Sequence, residues 1–513
     1  MKNNSRTDFA IKNVGIAGLM QAISILLNFI SRTIFVKLLG NDYLSCDGLF
    51  TNILTILSFS ELGIGSAIIF SLYKPIAEDD KKQIGKLLNL FKNAYLIITI
   101  IITTAGVCLI PFLKYLISDV PNVKENITLL YLLFLFNTVA SYIFGYKRSY
   151  LIANQENYIV VLIHHGMNLI KIIIQIIILL LTHNYILYLI LNILATLFTN
   201  IVTTIITDKK YPWINNYNDA KLLKEERKPI FQNIFSIFQY KLGSVILNGT
   251  DNIIISAVLK TSLVGLVSNY NMIISAVQTV ASQACSGLQA TVGNFNVKSS
   301  ENDRYRTFCK LYFISCWGFG FFAVSLATLL TPFVQNIWLG NKYVIPYDAV
   351  LALSVSFYIN LINTVPSIYR TTLGYFKEAR FAPMIASLLN IILSVVLAKI
   401  IGLSGVFWAT AISRVLTFNI IDPHYVFKRG FNMTPFKYYK IFFTETLMLI
   451  IIYLITFYSV SLIHSCGIMG FILKAILNCI VFNFFFILTH FKNPSFKDTL
   501  LILKRMCERK VSK

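Results

Sequence analysis

The sequence predicts an all-α polytopic membrane protein with about fourteen transmembrane helices. Three observations carry that expectation. The chain has 513 residues, of which 56% are hydrophobic and only 13% charged, about half the charge of an average soluble domain. Its apolar residues fall in runs of about twenty or more, the length that crosses a bilayer as a helix. Its basic residues fall in the short segments between those runs. The mean hydropathy of +0.68 is more apolar sequence than a soluble core can hide, so the solvent of most side chains is lipid.

Reading along the chain, the spans lie approximately at 12–36, 46–72, 88–113, 127–147, 158–181, 184–207, 233–259, 262–290, 305–330, 346–369, 381–400, 403–422, 439–464 and 467–490. Spans five and six part only at His183-Asn184, and spans eleven and twelve only at Gly402. The longest connection, 208–231, carries Lys221, Lys224, Arg227 and Lys228 and is expected to form a short amphipathic helix on the inner surface. The tail from Pro494 onward reads likewise.

The net charge is +22. On a soluble chain that would suggest nucleic acid; here the cations sit in short loops and read as topology and membrane-surface charge, and no nucleic-acid partner is expected. With the N-terminus placed in the cytoplasm, 34 of the 45 Lys and Arg fall in cytoplasmic segments, six in outer loops and five within spans. The excess of Lys and Arg marks the cytoplasmic side, so both termini are expected there. The eight cysteines are scattered without a C-x-x-C pair, so neither a disulfide framework nor a metal site nor a cofactor is expected.

An internal repeat gives the spans an order. At an offset of 220, Gln21, Ser24, Asn28 and Ser31 of span one fall opposite Lys241, Ser244, Asn248 and Asp251 of span seven. Both sets step i, i+3, i+7, i+10 along one helical face. Gly48-Leu49, Asn52 and Ser58 match Gly265-Leu266, Asn269 and Ser275. Glu61 falls opposite Gln278. Further on, Arg148 matches Arg370, Glu156 matches Glu378 and Asn168 matches Asn390. Six spans per repeat keep both halves in the same orientation, so the pseudo-axis runs along the membrane normal. The expected organisation is two pseudo-symmetric six-helix lobes, 1–207 and 233–422, joined by a cytoplasmic linker at 208–232. Two additional spans (423–490) and a cytoplasmic tail (491–513) follow.

Ionisable groups inside a bilayer cost a few kcal/mol each and default to a functional reading. Span one carries Gln21, Ser24, Asn28 and Arg32 on one stripe, span five His164, Asn168, Lys171 and Gln175, span seven Lys241, Ser244, Asn248 and Asp251, and span eight Asn271, Ser275, Gln278 and Ser282. Such stripes must face protein or water. Interhelical hydrogen bonding accounts for Ser and Asn, but Lys171 and Lys241 call for water or an anion. The expected substrate-facing set is therefore Gln21, Asn28, Arg32, His164, Asn168, Lys171, Lys241, Asn248 and Gln278. Asp251 and Glu61 are candidates for ion coupling, and Arg32 with Asp251 for a gating pair. Arg148 and Arg370 close spans four and ten as a cytoplasmic gate, or simply anchor them.

Two stretches in each half carry a resemblance. Arg32-Thr-Ile-Phe-Val-Lys-Leu-Leu-Gly40 with Phe59-Ser-Glu-Leu-Gly-Ile-Gly-Ser-Ala67, and Leu247-Asn-Gly-Thr-Asp-Asn-Ile-Ile-Ile-Ser256 with Val264-Gly-Leu-Val-Ser-Asn-Tyr270, resemble bacterial polysaccharide-export flippases of O-antigen type. These belong to the multidrug, oligosaccharidyl-lipid and polysaccharide exporter superfamily. The resemblance implies a MATE-like fold whose lobes enclose a cationic cavity in the bacterial inner membrane. It also implies a non-enzymatic role in surface polysaccharide or lipopolysaccharide biosynthesis, flipping an undecaprenyl-pyrophosphate-linked oligosaccharide by alternating access. Two added spans would supply a groove for the lipid tail, as in the related lipid II flippase. Implied partners are the lipid-linked glycan, membrane lipid, H+ or Na+ as coupling ion, and a polysaccharide polymerase and glycosyltransferases.

Three other functions compete. A cation-coupled drug or metabolite exporter of the same fold needs an acidic or aromatic cavity. A glycan polymerase or ligase needs a large outer loop with paired carboxylates, which this chain lacks. A structural assembly factor has no use for intramembrane charges at repeat-related sites.

Overall fold

The computed structural model describes residues 6–58, 64–119, 121–143, 145–154, 156–217, 222, 224–375, 378–465, 467–494 and 496. Among these residues there are helices and no strand. The α-helices are α1 (Arg6–Leu38), α2 (Asn41–Leu57), α3 (Ile64–Ala77), α4 (Lys81–Leu109), α5 (Leu113–Leu116), α6 (Ile127–Tyr142), α7 (Tyr146–Ala153), α8 (Asn157–Thr182), α9 (Tyr185–Lys210) and α10 (Lys224–Ile254). They continue with α11 (Thr261–Lys298), α12 (Glu301–Phe333), α13 (Tyr347–Ile362), α14 (Thr364–Thr372), α15 (Ala382–Ile401), α16 (Leu403–Leu416), α17 (Phe418–Tyr425), α18 (Phe436–Ser461) and α19 (Gly467–His490).

Eleven helical stretches of the described residues are long and apolar enough to cross a membrane, twelve with α6 and α7 taken as one broken span. Helix α1 and the α2/α3 pair occupy the first two expected spans. Each of the fourteen expected spans therefore coincides with a helix or a broken helix. The two tight hairpins fold as the sequence suggests. His183 takes the left-handed conformation (φ 52°) between α8 and α9, and Gly402 (φ 66°) turns α15 into α16. Asn184 caps α9 by accepting from Leu187 N at 3.1 Å, which satisfies one of the donors that a helix start leaves open.

The chain divides into two compact units, 1–265 and 266–513. In the first, α8 packs against α1 and α9, α9 against α6, and α10 against α2 and α3. In the second, α16 packs against α13 and α15, and α12 carries α13, α18 and α19. Leu162, Ile170, Ile173, Ile177 and Leu181 of α8 are exposed. They form the apolar face a membrane helix turns to lipid, opposite its polar stripe.

The duplication recurs in the geometry, at positions the sequence comparison did not reach. Span four is broken between α6 and α7, and span ten between α13 and α14 at Asn363. A break frees backbone carbonyls, which lipid cannot satisfy. In the first unit Asn200 Nδ2 donates to the carbonyls of Ala140, Ser141 and Ile143 at 3.1, 3.2 and 2.9 Å. In the second, Asn419 Nδ2 donates to Ile359 O at 3.5 Å and Arg414 O at 3.4 Å. Asn200 and Asn419 hold the same place in the two repeats, as do Ala140 and Ile359. The matched acids Glu156 and Glu378 also find matched cations: Lys210 and Arg429, each at 2.6 Å.

The connection expected to carry a separate surface helix is built differently. Pro212–Tyr217 forms a 3-10 turn, and Lys224 begins α10, which runs on into span seven without interruption. The turn is docked by Tyr217 against Gly85 of α4, where a Cβ would lie 2.2 Å from Tyr217 Cβ. The tail beyond residue 496 lies outside the described residues.

Opposite the basic end, the first unit is tied by polar contacts. Asn41 Nδ2 donates to Ser262 O at 2.8 Å, and Gly265 N donates to Ser45 Oγ at 3.1 Å. Only glycine fits at 265, because a Cβ would lie 2.6 Å from both Asn41 Oδ1 and Ser45 Oγ. The carboxylate of Asp119 accepts from Thr261 N. Burial pushes its pKa up, but the bonds from Thr261, Ser262 and Ser118 outweigh that and hold it below the usual carboxylate range.

Candidate functional site

Helices α1, α2, α8 and α9 bring the intramembrane charges of the first unit together. The i, i+7 spacing of α8 puts His164 and Lys171 on one stripe, and α1 lies along that helix. Arg32 of α1 reaches Asp47 of α2, with Nη1 3.9 Å from Oδ2. Lys171 also acts electrostatically on Asp47. One acid thus lies within the electrostatic reach of two cations. Phe35, Tyr185 and Tyr188 wall the group: their rings meet edge to face at 5.7 and 5.2 Å from Phe35.

Lys171 is half-buried and makes no hydrogen bond or ion pair among the described residues. A lysine in that position is a binding group for an anion or for water, because an ammonium without partners is costly inside a bilayer. Gln175, one turn further, plays the other part. It donates to Tyr188 O and Asn192 Oδ1, both at 3.1 Å, and joins α8 to α9 as packing glue.

Towards the start of α8, His165 shares a 3.3 Å hydrogen bond with Ser24 of α1. The His164 ring stands 5.8 Å from that of His165. His164, Asn28 and Arg148 are exposed, and Asn168 is half-buried. On α10, Asn248 bonds back to Ser244 O at 2.7 Å, while Lys241 and Asp251 are half-buried. Asp47 is an acid at Arg32 that the sequence reading, which offered Asp251, did not name. In the second unit, Ser275, Gln278, Thr279, Ser282 and Gln283 of α11 line one polar hollow of about 480 Å³. Glu61 and the Gln21 side chain lie outside what the structure describes.

The two arginines read as a matched pair differ. Arg148 is exposed, whereas Arg370 is buried with its Nε 2.8 Å from Asp422 Oδ1. Asn363, at the break of span ten, donates to the other oxygen of Asp422 at 3.0 Å. The neighbouring Lys147 takes the buried role in the first unit, 2.5 Å from Asp208.

The second unit also holds an apolar cavity of about 410 Å³ between α12, α13, α16 and α18, lined among others by Ala323, Leu351, Tyr358, Trp408, Leu449 and Tyr453. The two additional spans are fixed to it by polar pins. Asn478 of α19 accepts from Thr328 and donates to Ser325, both at 2.8 Å, and Trp317 donates to Asn483 at 3.0 Å. Glu445 of α18 meets His490 of α19 at 2.9 Å. Asp47, Asp422 and His490 were not singled out. Asp47 could have been found as an acid within the first two turns of an otherwise apolar helix.

A duplicated helical bundle with two added spans defines a class, the multi-pass helical membrane proteins. The chain superposes on a lipid II flippase MurJ in an inward-closed conformation with a TM-score of 0.67 at 16% identity, covering 93% of this chain and 99% of that one. It matches an inward-facing multidrug resistance MATE family transporter of the MOP superfamily with a TM-score of 0.57 at 14% identity, covering 77% and 93%. The multidrug transporter DinF-BH gives 0.54 at 17% identity, covering 85% and 99%. No match to a curated protein sequence was found. A family model described as polysaccharide biosynthesis protein matches residues 10–288. That is more than half of the chain, which therefore belongs to the polysaccharide biosynthesis protein family.

Proposed function

We propose that this protein is a flippase that carries an undecaprenyl-pyrophosphate-linked oligosaccharide across the bacterial cytoplasmic membrane by alternating access, for surface polysaccharide synthesis. The observation that carries the reading is Lys171, half-buried on the polar face of α8 with no hydrogen bond or ion pair among the described residues, near the Arg32–Asp47 pair. A diphosphate supplies the missing negative charge, and guanidinium offers it a planar fork of donors. In the first unit Asn28, Asn168 and Asn248 offer hydrogen-bond partners to sugar hydroxyls. Family membership and the MurJ-like fold support the choice of a lipid-linked glycan. The apolar cavity beside α18 suits the isoprenoid chain.

The excess of Lys and Arg in alternate connections supports cytoplasmic termini. A coupling ion, H+ or Na+, would act through Asp251 or Glu61, and it drives transport only by binding the two access states differently. The polymerase and glycosyltransferases of the same glycan are the natural partners. A cationic-drug exporter fits less well, since the cluster at Arg32 repels cations.

The test is reconstitution. Proteoliposomes holding the full chain and a fluorescent prenyl-diphosphate oligosaccharide should expose the glycan to an outside quencher or glycosidase faster than empty vesicles. Equal rates would contradict the proposal.

A further inference from the structure

The cations of the first unit are not one cluster but two, strung along α8. The deep one is Arg32, Lys171 and Asp47. The other lies nearer the start of α8, which the orientation above places at the cytoplasm. There Arg148 of α7 and Lys171 both act electrostatically on His164, together with His165. His164 and Lys171 are seven residues apart on one stripe, about 10 Å along the axis. His165 is held by Ser24 with its ring edge to face against His164. The α1–α8 contact therefore fixes the orientation of the pair.

We propose that Arg148, His164 and His165 form a separate, protonation-dependent anion station at the cytoplasmic end of α8. The diphosphate of the lipid-linked substrate binds there before it reaches Arg32 and Lys171. The inference rests on the flippase reading and adds to it an ordered path and a proton.

The chemistry follows from the neighbours. Among the described residues the charged and titratable groups that act on His164 are Arg148, His165 and Lys171, with no carboxylate among them. Among the described residues an imidazolium there meets only cations and a second imidazole, so an anionic ligand is its natural partner. Anion binding and proton uptake therefore favour each other through linkage. At the deep cluster Asp47 already balances part of the charge, and Arg stays charged at any physiological pH. Binding there does not depend on a histidine proton. A substrate that binds the outer station with a proton and moves on to Lys171 leaves that proton behind on the imidazole. No covalent bond changes; one proton is taken from the cytoplasm and can return to it.

The experiment measures affinity rather than transport. The probe is a short-chain prenyl-diphospho-N-acetylglucosamine, a diphosphate diester whose own charge is constant over the histidine range. It is titrated against the full-length protein in nanodiscs at about pH 5.5 and about pH 8, either side of that range. One charge-assisted hydrogen bond corresponds to about tenfold in affinity, so the wild type should bind about tenfold tighter at the lower pH. His164→Gln/His165→Gln should lose that tightening and keep the affinity seen at high pH. His164→Lys, with a permanent charge, should bind tightly at both. Lys171→Gln should weaken binding at both and keep the ratio. Size-exclusion profiles of the variants should match the wild type.

A histidine double variant with the wild-type ratio would overturn the station. So would His164→Lys with wild-type affinity at high pH, or a Lys171→Gln variant that abolishes the ratio. Each of these leaves the flippase reading intact. A wild type that binds the probe at neither pH overturns both.

Discussion

Arg32 stands 3.9 Å from Asp47 across the turn that joins α1 to α2. Both side chains are partly shielded, at 16% and 30% exposure, so the pair is neither a surface ion pair of negligible worth nor a fully dry one. Removing the acid takes the carboxylate away from Arg32 and from the neighbourhood of Lys171. Asp47→Ala is expected to cost about 1–3 kcal/mol of stability, below the range for fully buried pairs. The exchanged variant Arg32→Asp/Asp47→Arg should regain much of that stability, measured by thermal unfolding in detergent. It should not regain transport, because the donor fork then points from α2. Recovery of both would assign the pair a purely structural role.

In the second unit the Arg370–Asp422 pair is almost wholly buried, with side-chain exposures of 5% and 2%. Breaking it leaves an uncompensated charge in a low-dielectric interior. Asp422→Ala should therefore cost about 3–5 kcal/mol, and Arg370→Met/Asp422→Leu considerably less. Thermal unfolding of both variants checks this. A double variant as unstable as the single one would contradict it.

The duplication makes a paired prediction. Asn200 and Asn419 satisfy carbonyls at the broken spans of their repeats. Each Asn→Leu substitution leaves buried acceptors unmade and should cost about 1–3 kcal/mol. Asn200 holds three carbonyls and at shorter distance, so its loss should be the larger. The two unfolding temperatures decide the order.

Asp119 gives a pH dependence. Its carboxyl is held below the usual range by Thr261, Ser262 and Ser118 against the opposing effect of burial. A depressed folded-state pKa means stability that is fully present above the unfolded value of about 4 and lost as pH falls through the folded value. The gap in unfolding temperature between wild type and Asp119→Asn should be constant from neutral pH to about pH 5 and close under stronger acid. A gap that widens on acidification would contradict the assignment.

Much of this fold was legible because lipid leaves few choices. Apolar runs became helices, Lys and Arg spacing gave the alternation, and His183-Asn184 and Gly402 marked turns because a helix must stop where the chain reverses. The repeat was visible where polar residues interrupt apolar ones, as at Asn28 and Asn248 or Glu156 and Glu378. The partners of those residues were not visible. Asp47 lies fifteen positions from Arg32, and Asp422 lies fifty-two from Arg370, so no helical period connects them. Nor does hydropathy reveal a broken span: α13 and α14 read as one apolar run, and only the carbonyls taken up by Asn419 disclose the break.

The central claim is that cations inside the first unit carry the diphosphate. The most direct measurement is the flipping rate of a prenyl-diphosphate oligosaccharide in proteoliposomes holding Arg32→Gln, Lys171→Gln or Lys241→Gln protein at equal amounts. The account predicts that Arg32→Gln and Lys171→Gln each slow flipping by about tenfold or more, the worth of one charge-assisted contact, with a smaller loss for Lys241→Gln. Wild-type rates from all three variants would contradict it.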